Sequence, residues 1–241
     1  MSMLVDAHCH LYEFPKRDIK SFAESFLIVA VSDDYESSVK TLKIASSSEH
    51  IIPCVGLHPW EIKKFKPALV EKLFNLAIER GIKCIGEVGL DRLFVPETFK
   101  IQLQYFKDIV SFASRQKLVL NVHAAGAWRE VYKIVEENDV QKVIFHWYTG
   151  PLDLLKRIVD SGYYITINPA IKFQKKHRQV VRLTPLENML TESDGPYRYR
   201  GLTLSPILVK RTIEKIAELK GTSEKDVQQT ILKNFMSIFS I

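Results

Sequence analysis

The sequence has no pair of cysteines at the close spacing that zinc ribbons and thiol redox sites use. Its three cysteines, Cys9, Cys54 and Cys84, are far apart, and each lies within an apolar stretch. A Cys-x-x-Cys zinc or redox motif is therefore excluded. We expect all three side chains to be buried, reduced thiols.

The sequence also lacks an apolar run close to the ~18 residues that a membrane-spanning helix needs. It begins with neither the basic segment nor the apolar segment of a secretory leader. We therefore expect a cytoplasmic protein with no membrane partner. Basic residues exceed acidic ones only slightly, 34 against 28, for a net charge of +6. This charge weakly favours a polyanionic partner such as nucleic acid.

Eight short apolar runs alternate with stretches of helical periodicity, and no linker or repeat separates them. The 241 residues are 46% hydrophobic, enough for the core of one α/β barrel or of two small domains. The runs are Met3–His8, Phe26–Val31, Ile51–Gly56, Ile82–Val88, Lys117–His123, Lys142–Trp147, Tyr163–Ile167 and Asn188–Asp194. Continuous apolar character is typical of strands that are buried on both faces.

This alternation predicts an α/β fold, a (β/α)8 TIM barrel that forms a single domain over residues 1–241. A doubly wound sheet is the alternative, but no glycine-rich phosphate loop follows the first run. Ser205 before Pro206 predicts the start of a helix, because proline suits the first helical position. Ser223 with Asp226 predicts the start of the last helix.

Residues that bind metals or move protons follow most of the predicted strands. Barrel active sites are built at the C-terminal ends of the strands. Asp6, His8 and His10 alternate along the first run, so they share one face of that strand, and Asp6 is expected to orient a histidine. The corresponding residues at the third, fourth, fifth, sixth and eighth runs are His58, Glu87, His123, His146 and Asp194.

The candidate metal ligands are His8, His10, Glu87, His123, His146 and Asp194. Four imidazoles and two carboxylates that meet at one barrel mouth would be costly without cations to bind them. Nitrogen and oxygen ligands without a thiolate suit two divalent ions, Mg²⁺, Mn²⁺ or Zn²⁺, rather than a closed structural zinc site. Glu87 lies between the two pairs of histidines around the barrel, so we expect it to bridge the ions.

The expected chemistry is hydrolysis by an activated water, and three residues are the candidates for catalysis. Glu87 would bridge the ions, Asp194 would accept or orient the proton of the water, and His58 would contact the substrate or the leaving group. The charge balance of two cations and two carboxylates is compatible with phosphoester hydrolysis. It does not exclude amide or lactone substrates.

Aromatic and basic residues follow the candidate site residues and could bind substrate. Trp147 follows His146, and the pair Tyr197-Arg198 follows Asp194. Such residues can stack bases and hold phosphates, although packing at the rim and surface charge would also explain them. The basic run over residues 172–178 is either a solvated helix face or a lip that follows a phosphate backbone.

These motifs resemble the TatD family of metal-dependent deoxyribonucleases, within the amidohydrolase-like barrel superfamily. The matching segments run from residue 3 to about residue 236; they are Asp6-Ala7-His8-Cys9-His10, Gly56-Leu57-His58-Pro59, Gly86-Glu87-Val88-Gly89-Leu90-Asp91, the histidines His123 and His146, and Glu192-Ser193-Asp194-Gly195-Pro196. The resemblance implies one metal on His8, His10, Glu87 and Asp194, and a second on Glu87, His123 and His146. It also implies hydrolysis of DNA, often from the 3′ end, with Mg²⁺ or another divalent ion.

The sequence departs from the family pattern on the substrate side. His123-Ala124-Ala125 stands where family members usually carry His-Ser-Arg, and Trp147-Tyr148 replaces a common Cys-Phe pair. The expected partner is therefore DNA, with other nucleic acid or an aminoacyl-tRNA as further possibilities. An amidohydrolase or esterase, such as a D-aminoacyl-tRNA deacylase, could use the same metal ligands. A nucleic-acid-binding protein without catalysis is the third interpretation.

Overall fold

The structure, a computed structural model, describes residues 3–64 and 66–241. Its centre is a parallel sheet of eight strands in the order β1 to β8, which follows the order of the chain. The strands are β1 Leu4–Cys9, β2 Phe26–Ala30, β3 Ile51–Leu57, β4 Cys84–Gly89, β5 Val119–His123, β6 Val143–Phe145, β7 Tyr164–Ile167 and β8 Met189–Thr191. Each of the eight apolar runs therefore overlaps one strand, and the predicted (β/α)8 barrel is confirmed.

The last strand returns to the first and nearly closes the barrel. Thr191 Oγ1 donates a hydrogen bond of 2.6 Å to Val5 O. Beyond the end of β8, Asp194 N donates to His8 O at 2.9 Å, and His10 N donates to Gly195 O at 2.8 Å. These bonds join the mouth ends of β1 and β8, so residues from the two ends of the chain meet there.

Helices connect the strands and surround the barrel. They are α1 Lys16–Ala23, α2 Tyr35–Ala45, α3 Pro67–Glu79, α4 Phe99–Gln116, α5 Trp128–Glu137, α6 Leu152–Asp160, α7 Lys175–Leu183, α8 Val209–Lys220 and α9 Glu224–Phe239, with 3₁₀ turns at Leu11–Glu13, Pro59–Lys64, Pro96–Thr98, Pro169–Lys172, Leu186–Asn188 and Pro206–Leu208. Ser223 caps α9 by accepting a hydrogen bond from Asp226 N, as predicted. Ser205 instead precedes a 3₁₀ turn without a side-chain cap, and α8 begins three residues after Pro206.

A short hairpin follows β8, where the sequence showed only a loop. Its strands are β9 Arg198–Tyr199 and β10 Leu202–Thr203, which pair antiparallel. Arg200 and Gly201 connect them with φ angles of 48° and 80°. Two consecutive positive φ angles are the geometry of a two-residue type I′ turn, and glycine adopts it without steric cost. The hairpin holds Tyr197 and Tyr199 over the mouth of the barrel.

The prediction of three reduced thiols is wrong for two of the cysteines. Cys54 on β3 and Cys84 on β4 face each other in the parallel register, and their sulfur atoms form a disulfide. The spacing of 30 residues gave no sign of this contact, because only the pairing of β3 with β4 brings the two residues together. Cys9 is free and buried, as expected. Within the described ranges, no helix is both long and apolar enough to cross a membrane.

Candidate metal centre

Glu87 lies at the centre of the barrel mouth, and its two carboxylate oxygens face different groups of histidines. Oε2 lies 3.2 Å from His8 Nε2 and 3.3 Å from His10 Nε2. Asp194 Oδ1 completes this group, at 3.6 Å from His8 Nε2 and 3.5 Å from His10 Nε2. His8, His10 and Asp194 together offer ligand atoms to one position.

The other oxygen of Glu87 faces the opposite side of the mouth. Oε1 lies 2.8 Å from His123 Nδ1 and 3.1 Å from both His146 Nε2 and His58 Nε2. Glu87 is 2% exposed and therefore almost wholly removed from water. The structure thus brings all six predicted ligands into two groups that share one carboxylate.

The backbone of β3 fixes where Glu87 stands. A Cβ atom on Gly56 would lie 2.3 Å from Gly86 C and 2.5 Å from Glu87 N, which is closer than real Cβ atoms approach. Glycine at position 56 therefore lets the two strands approach each other directly beside the carboxylate. Asp194 is held by a φ of 56°, in the left-handed region, and by the hydrogen bond of its N–H to His8 O.

His8 presents one particular nitrogen to this centre because Asn121 fixes its ring. Asn121 Nδ2 donates to Ala7 O at 2.8 Å, so its Oδ1 must be the atom that lies 2.8 Å from His8 Nδ1. An amide oxygen only accepts hydrogen bonds, so the imidazole proton lies on Nδ1. The lone pair of Nε2 then points at Glu87 and Asp194, and this buried nitrogen has no hydrogen-bond partner among the described residues.

His10 has a carboxylate beside its far nitrogen. Its Nδ1 lies 3.1 Å from Asp33 Oδ1, and Tyr12 Oη donates to Asp33 Oδ2 at 2.5 Å. Burial raises the pKa of Asp33, but His10 lowers it by a larger amount, so the net pKa is below its ordinary value. Burial and the neighbouring Asp33 raise the pKa of Tyr12, so its hydroxyl stays protonated and donates.

His123 has an acceptor on each side of its ring. Its Nε2 lies 3.0 Å from Asp91 Oδ2, which also accepts a 2.6 Å hydrogen bond from Trp60 Nε1. Burial raises the pKa of Asp91, but the hydrogen bonds from His123, Phe94 N and Trp60 lower it to about 2. Asp91 is therefore ionised and accepts a hydrogen bond from the N–H at Nε2 of His123. The lone pair of His123 Nδ1 then faces Glu87 Oε1 at 2.8 Å.

His58 differs from the other histidines in the nitrogen that carries its proton. Trp60 N donates to His58 Nδ1 at 3.1 Å, so the proton of a neutral ring lies on Nε2. His58 Nε2 therefore donates its hydrogen to Glu87 Oε1. This arrangement makes His58 a hydrogen-bond donor beside the centre, although it groups with Glu87 and His123 by distance alone.

His146 completes the second group, and Glu192 lies behind it. His146 Nδ1 is 3.6 Å from Glu192 Oε2, which is longer than a hydrogen bond. The other oxygen of Glu192 accepts from Trp147 N at 3.0 Å and from Asn168 Nδ2 at 3.1 Å. Burial raises the pKa of Glu192, but His146 lowers it by a larger amount, so the net pKa is below its ordinary value.

The electrostatics of the cluster favour positive charge at the positions between these groups. Burial lowers the pKa of His146, but Glu87 and Glu192 raise it well above its ordinary value. Burial likewise lowers the pKa of His10, which Asp33, Asp194 and Glu87 raise well above its ordinary value. Burial raises the pKa of Glu87, but the surrounding histidines bring it well below its ordinary value. A proton or a metal cation can supply the charge that these carboxylates attract.

The donor set fits divalent metal ions. His123 Nδ1 and Glu87 Oε1 both offer a lone pair and are only 2.8 Å apart. His8 Nε2 also offers a lone pair, and this buried atom has no hydrogen-bond partner among the described residues. Such a contact is favourable only if a proton or a cation shares the electrons of both atoms. Imidazole nitrogens with acceptors behind them, together with carboxylates, are the usual ligands of catalytic divalent metals.

Comparison with known proteins agrees with this site. The family described as TatD related DNase matches residues 5–240. This chain belongs to the TatD family. A metal-dependent hydrolase of Methanocaldococcus jannaschii, named as uncharacterised, is 32% identical over 245 residues, which cover 98% of this chain and 96% of that protein. A mouse relative, named as a candidate deoxyribonuclease TATDN3, is 29% identical over 98% of this chain and 88% of its own.

A solved structure has the same fold. YjjV, a TatD homologue from Escherichia coli K12, matches this TatD chain with a TM-score of 0.89 and 23% identity, over 99% of this chain and 98% of that one. The relative from Methanocaldococcus jannaschii and relatives from Escherichia coli carry the name metal-dependent hydrolase. The chain is accordingly a metal-dependent hydrolase whose histidine, glutamate and aspartate groups can hold metal ions.

The predicted substrate-binding residues of this TatD chain lie at different places. Trp147 and Tyr197 line a cavity of about 400 Å³ that opens over the metal centre. Arg198 is exposed and is not among the described residues that line this cavity, because alternate residues of β9 face opposite sides. Ala124 and Ala125 form part of the cavity wall where the family pattern has serine and arginine.

Four residues behind the histidines were not predicted: Asn121, Asp33, Asp91 and Glu192. Asp91 and Glu192 lie within the quoted motifs, four residues after Glu87 and two residues before Asp194. This closeness along the chain was the signal that could have identified them. Asn121 lies two residues before His123 on β5, a spacing that puts it on the same face of the strand. Asp6 does not orient a histidine ring, because its Oδ1 accepts instead from Ser193 N at 2.8 Å and from His8 N at 3.4 Å. Burial raises the pKa of Asp6 to about 7.

Proposed function

We propose that this TatD chain hydrolyses phosphodiester bonds at the 3′ ends of DNA with two divalent metal ions. The single observation that carries the proposal is the division of Glu87, whose two oxygens face two separate groups of ligands. A carboxylate that bridges two ions about 3.5–4 Å apart is typical of enzymes that cleave phosphoesters by in-line attack of water.

The residues have distinct roles in this proposal. His8, His10 and Asp194 would hold one ion, His123 and His146 would hold the other, and Glu87 would bind both. Bound divalent ions make water acidic enough to attack near neutral pH and stabilise charge on phosphoryl oxygens. Asp194 accepts the proton of the attacking water, because it is a carboxylate that lines the cavity at the end of β8.

His58 acts next to the bridging carboxylate. Its Nε2–H points at Glu87 Oε1, and its ring also lines the cavity. It can therefore donate a hydrogen bond to an oxygen of the substrate or of the leaving group once that oxygen replaces Glu87 as its partner. Trp147 and Tyr197, on the cavity wall, contact the nucleotide at the cleaved end.

The test is digestion of single-stranded DNA labelled at one end, with divalent ions and with EDTA. We expect release of nucleotides from the 3′ end that needs added divalent ion, and a loss of rate of about 10²–10⁴-fold in Asp194→Asn. Asp153→Asn is the matched control, because Asp153 is exposed and pairs with Arg129, which is itself exposed. DNA that stays intact while D-aminoacyl-tRNA or a simple ester is hydrolysed would show that the metal centre serves another bond.

A further inference from the structure

Two groups of aromatic side chains stand on opposite sides of the cavity. The first, the Trp60 wall, consists of Trp60 and Phe94, whose ring centroids are 5.6 Å apart. The second, the Trp147 wall, consists of Trp147, Tyr197 and Tyr199, with Trp147 at 6.0 Å and 5.3 Å from the two tyrosine rings. The Trp60 wall follows β3 and β4, and the Trp147 wall follows β6 and β8, so the order of strands puts the metal centre between them.

In each wall, the tryptophan ring is fixed by a hydrogen bond from its indole nitrogen. Trp60 Nε1 donates to Asp91, and Trp147 Nε1 donates to Gln174 Oε1 at 3.1 Å. Gln174 Nε2 in turn donates to Tyr199 Oη at 3.0 Å. Rings that are held in place lose little conformational entropy when a ligand stacks on them, so they are efficient binding surfaces.

The outer rings of the walls have large exposed faces. Phe94 is 63% exposed, Trp60 is 41% exposed and Tyr197 is 40% exposed. Aromatic side chains of this size are costly to leave in water, and those that surround a catalytic cavity are typical stacking surfaces for bases.

The cavity has no cation to hold a phosphate. Among the described residues that line it, none is a lysine or an arginine, whereas Glu13, Asp33, Glu87 and Asp194 supply four carboxylates. With neutral histidines, two divalent ions would only balance these four negative charges. Two basic residues near the mouth have partners outside the cavity: Arg178 donates to Ile171 O and Lys172 O, and Arg92 pairs with Glu130. Arg198 and Arg200 are exposed on the hairpin, and the guanidinium of Arg200 lies 5.7 Å from the centre of the Tyr199 ring.

We infer that this site selects its substrate by clamping the base of a terminal nucleotide between the Trp60 wall and the Trp147 wall, with no protein cation on the phosphates. The inference rests on the proposed function, because it names how the same site would recognise the end of a single DNA strand. Phe94 and Tyr197 are the residues that set this specificity, since their exposed rings have no other polar or ionic task among the described contacts. The metal ions are then the groups that contact the phosphate.

The first experiment measures binding without hydrolysis. A single-stranded trinucleotide and two copies of it that carry an abasic residue at either end are titrated into the protein with divalent ion present, first in a phosphorothioate form that resists hydrolysis. Tryptophan emission is the readout, because Trp60, Trp128 and Trp147 line the cavity. We expect the complete trinucleotide to bind about tenfold more tightly than one of the abasic copies. Equal affinities, or no binding below about 1 mM, would overturn the inference.

Variants then assign the effect to the walls. Phe94→Ala and Tyr197→Ala should each reduce the preference for the complete strand about fivefold, and Phe94→Trp should keep it. Leu183→Ala is the matched control, because Leu183 is 60% exposed and lies outside the cavity. A preference that survives in both alanine variants would place base recognition elsewhere and contradict the inference.

The salt dependence of binding tests whether a lysine or arginine contacts the phosphates. The affinity for the trinucleotide should not fall between about 50 and 200 mM salt, whereas two phosphate contacts with lysine or arginine would weaken it about sevenfold. The same strands, with ordinary phosphodiester bonds, are then digested with divalent ion present. Base-dependent binding without cleavage would reject the proposed function alone, and cleavage without base preference would reject this inference alone.

Discussion

At the scale of single residues, the orientation of each ligand depends on the residue behind it. Asn121 and Asp91 each accept a hydrogen bond from the far nitrogen of one histidine, so the near nitrogen offers its lone pair to the centre. Asp33 Oδ1 lies 3.1 Å from the far nitrogen of His10. His58 is reversed, because a backbone N–H occupies its Nδ1. These small differences separate the histidines that can bind a metal from the one that donates a hydrogen bond.

Asn121→Ala should weaken metal binding about 10–100-fold, because the ring of His8 would lose the acceptor that fixes its orientation and its proton. Isothermal titration with the divalent ion measures the affinity. Thr191→Val is the control, since it removes a buried hydrogen bond to Val5 O without touching a ligand. Equal affinities of the two variants would show that Asn121 supports only the fold.

At the scale of elements, the close approach of β3 and β4 positions the bridging carboxylate. Gly56 leaves no room for a Cβ atom against the backbone of Gly86 and Glu87. The strands were predictable from their continuous apolar runs, and the ligands from their places at strand ends. The approach of two neighbouring backbones depends on register, which only the folded barrel defines.

Gly56→Ala should lower the free energy of unfolding by about 3 kcal/mol, because the added methyl group collides with backbone that cannot move aside. It should also weaken metal binding, since the collision displaces Glu87. Denaturant unfolding and metal titration measure the two effects. Gly221→Ala is the control: its Cβ would meet nothing within 4 Å, and its φ of 65° alone should cost about 1 kcal/mol. Similar losses in both variants would mean that β3 can shift.

Other elements show where sequence patterns stop being informative. The hairpin β9–β10 turns at Arg200-Gly201, which lacks the Asn-Gly or Asp-Gly pair that usually marks such a turn. Asp33 follows β2, whose end carries no ligand, so nothing in the sequence connected it with His10. The disulfide between Cys54 and Cys84 likewise follows from strand pairing and not from spacing along the chain.

At the scale of the whole molecule, the barrel buries a histidine that takes no part in the proposed site. His177 on α7 is fully buried, and neither ring nitrogen has a hydrogen-bond partner among the described residues. Burial lowers its pKa from 6.5 to about 4, although Glu192 opposes the shift. The sequence placed this residue outside the site and could not show that it is buried without a partner.

His177 should make the protein less stable in mild acid. Between pH 6.5 and about 4 the unfolded chain binds a proton that the folded chain does not, so the free energy of unfolding falls as the pH falls through this window. From pH 7.5 to 5 this single residue accounts for about 2 kcal/mol. Denaturant unfolding of wild type and His177→Leu at both pH values measures it. Parallel losses in the two proteins would exclude His177 as the cause.

Because Glu87 serves both groups of ligands, the two metal positions are not independent. Glu87 Oε2 would hold an ion on the His8 side, and the same carboxylate plane would present Oε1 to the His123 side. Under the proposed function, a first cation would therefore orient the carboxylate for a second, so the two positions would be loaded as a coupled pair. Activity would then require that both positions are filled.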